Sequence, residues 1–185
     1  RCTLRAATQG TTVVTASGSA VQQIVTNQNP WGDSRNPQGW DQISNMYLQY
    51  RPIGMRVKVT SGIATNAATA SICWLRGYWS QYATALANDQ IIINNRFTKS
   101  LALAPGSPYQ VLTSSSNLRD VHGETEAQWM ANENTQASVT GTPARPTYYY
   151  VHWIYPSGTG GFTYAWMIDV EIDFEFTQAR ILVDG

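Results

Sequence analysis

The chain has 185 residues, with 12 basic and 12 acidic side chains and a net charge of zero. That length suffices for one all-β domain with a real core, and the charge balance excludes nucleic-acid binding through a basic patch on these residues alone. Only 13 % of residues are charged, against about 25 % in ordinary soluble domains; polarity comes from Thr, Ser, Asn and Gln instead, a mixture suited to a surface covered largely by other protein.

In chain order, residues 11–16 and 20–26 are rich in β-branched side chains and read as strands, split by a turn at Ser17, Gly18 and Ser19. Residues 27–39 form a loop by composition, bracketed by Trp31 and Trp40. Apolar side chains at 40, 43 and 46/47 fit a short helical turn. From Met55 to Val59 the pattern alternates, with Met55, Val57 and Val59 facing inward and Arg56 and Lys58 outward. A small-residue loop is expected over 61–69 and a strand over 70–75, while 78–88 fit either a short helix or an irregular excursion.

Residues 91–93 and 96–103 read as strands, ended by Pro105, Gly106, Ser107 and Pro108. A polar loop is expected at 114–117, a helical or irregular insertion at 124–130, and a loop at 132–146. Residues 147–155 are nearly all aromatic or β-branched and predict a strand. After a turn-rich connection over 156–161, the run 164–176 alternates strictly from Ile168 onward. Ile168, Val170, Ile172, Phe174 and Phe176 fall on one face, and Asp169, Glu171, Asp173 and Glu175 on the other. A period of two makes this a half-buried strand with an outward row of carboxylates. About eight β segments joined by long connections predict an all-β fold, a two-sheet sandwich or eight-stranded jelly roll with at most short helices, rather than an up-and-down barrel.

Chemistry-bearing motifs are sparse. Carboxylates two apart on a strand lie about 6.5–7 Å apart, too far for neighbours alone to hold one ion. A second strand or subunit would have to complete a calcium site, so the row reads first as a solvated or salt-bridged face. Arg56 and Lys58 offer a matching basic face, and the sequence leaves open whether the two faces meet within the subunit, across subunits or not at all. His122, Glu124 and Glu126 form a short cluster, but zinc-deaminase chemistry needs paired cysteines, and only Cys2 and Cys73 are present. His152 reads as a packed strand residue, and Cys73, between Ile72 and Trp74, as a buried free thiol. No catalytic residue, metal or cofactor is expected. No run of 18 apolar residues occurs, so no membrane span is expected either.

Two blocks carry a family resemblance. The stretch Met46, Tyr47, Leu48, Gln49, Tyr50, Arg51, Pro52, Ile53, Gly54, Met55, Arg56, Val57, Lys58, Val59 resembles the early strand of single jelly-roll coat proteins of small icosahedral viruses. There an aromatic lead-in precedes Tyr-Arg and an alternating basic/Val strand. Residues 150–176 resemble the last two strands of those proteins: an aromatic strand, a Gly-rich loop and a long alternating strand. The likeness is greatest to coat proteins of circular single-stranded DNA viruses such as circoviruses, while coat proteins of small positive-strand RNA viruses share the fold.

The resemblance implies that residues 1–185 are one coat domain, that identical subunits are its partners in a closed shell, and that it resides in the virion. It also implies a single-stranded genome, DNA ahead of RNA, bound mainly by a basic arm expected upstream of Arg1. Arg1 and Arg5 would be the last nucleic-acid-binding residues of that arm. It points to no particular host receptor. Low charge and abundant aromatics place Trp31, Trp40, Trp79 and Trp129, read as loop residues, at subunit interfaces. The alternative reading is a secreted carbohydrate-binding β-sandwich, in which exposed Trp and Tyr would stack on sugars.

Overall fold

The computed structural model describes residues 1–14, 18–25, 39–66, 73–86, 89–104, 108–154 and 162–180. Strands β1 (Cys2–Val14), β2 (Ser19–Val25), β3 (Tyr47–Asn66), β4 (Cys73–Ser80), β5 (Lys99–Leu103), β6 (Gln110–Asn117), the short β7 (Ala137–Ser138), β8 (Tyr148–Ile154) and β9 (Phe162–Ala179) follow in order. They form two antiparallel sheets. One has the order β1-β9-β3-β6, with β7 added to β3; the other has the order β2-β8-β4-β5. Strands adjacent in sequence therefore fall mostly in opposite sheets, and the first strand lies beside the last. That is the jelly-roll arrangement expected from the sequence.

One core lies between the sheets. Its largest buried side chains include Trp79 and Trp153, Tyr149 and Tyr164, Phe162, and Leu75. Ile168, Val170, Ile172 and Phe174 of β9 point into it, and Met55, Val57 and Val59 of β3 do the same. Two serines share this interior. Ser61 accepts the Trp153 indole N–H at 2.9 Å, and Ser114 accepts that of Trp79, also at 2.9 Å. Each bond ties the first sheet to the second. A buried indole N–H needs an acceptor, and a serine hydroxyl facing inward from the opposite sheet supplies it.

These serines explain two corrections. The expected loop over 61–69 is strand as far as Asn66, because β3 continues to pair with β9. The expected polar loop at 114–117 belongs to β6, paired with β3 from Gly54↔Asn117 to Ser61↔Gln110. Ser and Asn are poor strand formers by propensity, but here pairing and the indole bond override that preference. A third correction concerns residues 91–93, which lie in helix α2 (Asp89–Asn94). Three isoleucines are too short a run to show a period, and only Ile92 is buried, against Tyr78 and Tyr150. The first strand also starts earlier than expected, at Cys2.

The helical turn at the start of β3 is α1 (Trp40–Met46). The 124–130 insertion contains α4 (Glu126–Ala131), preceded by α3 (Leu118–His122). Gly123 ends α3 at a φ of 71°, where a side chain would be strained. Thr125 opens α4 with a capping box closed by Gln128. The expected loop at 132–146 holds a 3-10 turn, Glu133–Thr135, and β7. Among the described residues, no helix is long and apolar enough to cross a membrane.

Candidate functional site

The outer face of the first sheet gathers most of the charge that the sequence reading singled out. β9 lies between β1 and β3, so each outward carboxylate has a neighbour on both sides. Glu171 sits between Arg5 and Arg56, and Asp169 between Ala7 and Lys58. The Arg56 Nη1 lies 2.6 Å from Glu171 Oε2, and the Arg5 Nη2 3.3 Å from Asp169 Oδ1. Glu175 has Arg51 and Arg1 at 3.8 Å each, while Asp173 accepts the Thr3 hydroxyl at 2.5 Å. The acidic and basic faces thus meet within one subunit. All four carboxylates point outward as expected, but Asp169 is only 7 % exposed. An interior strand leaves little room for solvent once flanking side chains lie over it, and the salt-bridged of the two expected readings fits Asp169, Glu171 and Glu175.

This face divides by rows. The charged half ends at the Asp169 row. The next row across the sheet is Gln9, Met167, Thr60 and Val111, and the one after is Thr11, Ala165 and Gly62. The Tyr109 ring lies against Gly62, where a Cβ would come within 2.7 Å of it. Val13, Tyr109, Val111 and Met167 are exposed, and a groove of about 450 Å³ runs between Tyr109, Met167 and Thr11. In the charged half, grooves of about 260 and 460 Å³ meet around Gly54, Asn117 and Asp173. Among the described residues, no three His, Cys, Asp or Glu side chains converge as metal ligands would.

The residues named from sequence are dispersed. Arg1 and Arg5 lie on or beside β1, each beside acids: Arg1 near Glu126 and Glu175, Arg5 near Asp169. Trp31 lies outside the described residues. Trp40 is half-buried in α1, edge-on to Tyr50 at 5.0 Å and Phe174 at 5.5 Å. Trp79 and Trp129 are each only 2 % exposed. Trp79 belongs to β4 and Trp129 to α4, not to loops, so neither ring reaches the surface of a single subunit. This corrects the premise that a thin sandwich could not bury them: Trp79 packs 4.6 Å from the Tyr149 ring between the sheets, and Trp129 joins the same core from α4, with the His122 ring 5.4 Å away. Sequence reasoning missed the exposed patch of Val13, Tyr109, Val111 and Met167, whose members come from β1, β6, β9 and the segment before β6.

Both histidines are held neutral. The Arg145 Nε donates to His122 Nδ1 at 3.1 Å, so Nε2 carries the proton toward the Thr147 hydroxyl at 2.9 Å. Burial, then the charge of Arg145, pushes His122 below its usual pKa. Arg145 also pairs with Glu124. His152 is buried on the outer side of the second sheet, 3.3 Å from the Tyr78 hydroxyl. Burial, then nearby Arg76, pushes its pKa down to about 4. Cys73 is a buried thiol, and burial raises its pKa.

No protein-family model matches the chain, and no curated protein matches it. Solved structures do. The decameric BFDV capsid protein aligns with a TM-score of 0.53 at 10 % identity, covering 94 % of this chain and 98 % of that one. The two share the jelly-roll fold. Desmodium yellow mottle tymovirus aligns at a TM-score of 0.44 and 10 % identity, covering 100 % of this chain and 91 % of that chain. Cocksfoot mottle virus aligns at 0.46 and 9 % identity, covering 96 % and 94 %.

Proposed function

We propose that this chain is a viral coat subunit that assembles with identical copies into an icosahedral shell around a single-stranded genome. The observation that carries the reading is the strand order, β1-β9-β3-β6 over β2-β8-β4-β5, in a fold shared over nearly the whole chain with the BFDV capsid protein. Low charge supports it, because large closed assemblies cover surface that a monomer keeps charged. The role is assembly rather than catalysis, and the protein resides in the virion. The finer reading is a circular single-stranded DNA virus of the circovirus kind.

In this reading Arg1 and Arg5 mark the end of a basic arm. Their guanidinium groups already face Glu126, Glu175 and Asp169, so the packaging charge falls to residues upstream. Half-buried Trp40, with Trp31, is a proposed subunit contact.

Electron microscopy and light scattering of the purified protein test the reading. Uniform closed particles of many subunits are expected. A stable monomer at high concentration, with tryptophan fluorescence quenched by glycans, would transfer the assignment to a carbohydrate-binding module. Nuclease digestion of particle contents then separates DNA from RNA.

A further inference from the structure

The two sides of the sandwich are finished differently. On one side Lys99 of β5 donates to the Thr113 carbonyl of β6 at 2.9 Å, so the edges of the two sheets are joined. On the other side β1 is an edge strand, and among the described residues no strand lies beyond it. β1 pairs with β9 without a register shift from Cys2 to Val14. Its outward residues Thr3, Arg5, Ala7, Gln9, Thr11 and Val13 are all exposed.

Natural edge strands of this length are protected by charge, proline or a bulge. β1 has no proline and no bulge, and its only charge, Arg5, pairs with Asp169. Residues 6–14, Ala-Ala-Thr-Gln-Gly-Thr-Thr-Val-Val, offer a row of main-chain donors and acceptors with nothing to repel a second strand.

We infer that β1 pairs with β1 of a second copy, antiparallel, about a twofold axis near Gly10. The partner's chemistry follows from the sequence of the strand. Antiparallel pairing on that axis sets Gln9 opposite Thr11 and Ala7 opposite Val13 on the outer face. On the inner face Thr8 meets Thr12 and Ala6 meets Val14. Each opposed pair lies on one face of the joined sheet, no two charges meet, and Thr–Thr pairs favour the ladder. Parallel pairing in register would instead set Arg5 beside its own copy. The apolar rows of the outer face, with Val13 65 % and Tyr109 63 % exposed, would then continue across the axis onto the partner. The arrangement is isologous and closed. It deepens the shell reading, and rests on it for the partner being another copy.

Cysteine pairing in the full chain tests this, in a Cys2→Ser background that keeps buried Cys73. Directly opposed residues in a ladder have Cα atoms about 4.5–5.5 Å apart, within the range a disulfide spans. Mild oxidation of a mixture of Gln9→Cys and Thr11→Cys proteins should give linked heterodimer, as should Ala7→Cys with Val13→Cys. Thr3→Cys mixed with Gln9→Cys stands roughly 27 Å out of register and should give at least tenfold less. Gln9→Lys with Thr11→Lys, two exposed positions opposed across the axis, should keep the fold by circular dichroism and, by setting like charges opposite each other, abolish the linkage of Ala7→Cys with Val13→Cys made in the same background. Particles that form without register-specific linkage would overturn the inference and leave the shell reading standing. Register-specific linkage without particles would support the edge pairing and overturn the shell. Linkage indifferent to register, or none in either case, also overturns the inference.

Discussion

Ser61 and Ser114 lie inside the sandwich because each hydroxyl answers an indole from the opposite sheet. Ser61→Ala would strip Trp153 of its acceptor and leave a buried N–H unpaired, a cost of about 1–3 kcal/mol. Urea unfolding should show that loss, while Ser115→Ala at an exposed position of β6 should stay within about 0.5 kcal/mol of the parent. Nothing in the sequence announces these bonds, since Trp153 and Ser61 are 92 positions apart. A serine in isolation reads as turn or loop, which is why these two strand ends look like loops in the sequence. Asp169 was hidden for a similar reason: its outward direction follows from alternation, but its burial depends on β1 and β3 flanking it. His152 adds a pH dependence. Its folded pKa is depressed to about 4, below the unfolded value of about 6.5, so the unfolded chain binds more protons between those limits. Its contribution is complete above about pH 6.5 and is lost as pH falls toward 4. Stability measured by denaturant titration across that window should decline with acid, and His152→Gln should flatten the decline; an unchanged slope would show that other groups govern it.

β9 shows how much one element can declare. Its strict alternation fixed both the strand and its faces, because a slip of one residue would bury a row of carboxylates. Phe174, inward and packed against Trp40 and Tyr50, should not tolerate an acid. Phe174→Asp places an unpaired carboxylate in the core at a cost of several kcal/mol, comparable to the whole stability of a small domain, and soluble folded protein should be lost. Asp173→Asn keeps an oxygen for the Thr3 hydroxyl on an exposed site and should cost under about 1 kcal/mol. If Phe174→Asp folds normally, the facing assigned to β9 is wrong. Short helices were less legible. The α4 start carries a readable Thr-x-x-Gln capping pattern at Thr125 and Gln128, whereas α2 offers only three isoleucines and is defined by Ile92 docking on Tyr78 and Tyr150. Thr125→Ala should accordingly cost about 1 kcal/mol in thermal unfolding, with no change in the sheets.

At the scale of the molecule, the two-sheet fold was legible because about eight β segments joined by long connections disfavour an up-and-down barrel, whereas the pairing of the first strand with the last came only with the structure. The exposed patch was not, because Val13, Val111 and Met167 become neighbours only through pairing across four strands. Charge behaves the same way: acids and bases far apart in sequence neutralise one another on the outer face of the first sheet. With 12 basic and 12 acidic side chains in all, and Arg5, Arg51 and Arg56 each beside a carboxylate, this chain has little cationic surface to give to phosphates. Binding that neutralises several phosphates loses affinity steeply with salt, with a slope of about −0.7 per phosphate on single strands. The 185-residue chain should therefore bind single-stranded DNA weakly at physiological salt and with a shallow slope. Adding a basic segment ahead of Arg1 should raise affinity and steepen the slope together, by about one contact for each lysine or arginine that reaches the strand. Tight binding by the 185-residue chain with an equally steep slope would mean that its own arginines break their ion pairs to hold the genome, and would refute the placement of the packaging charge upstream.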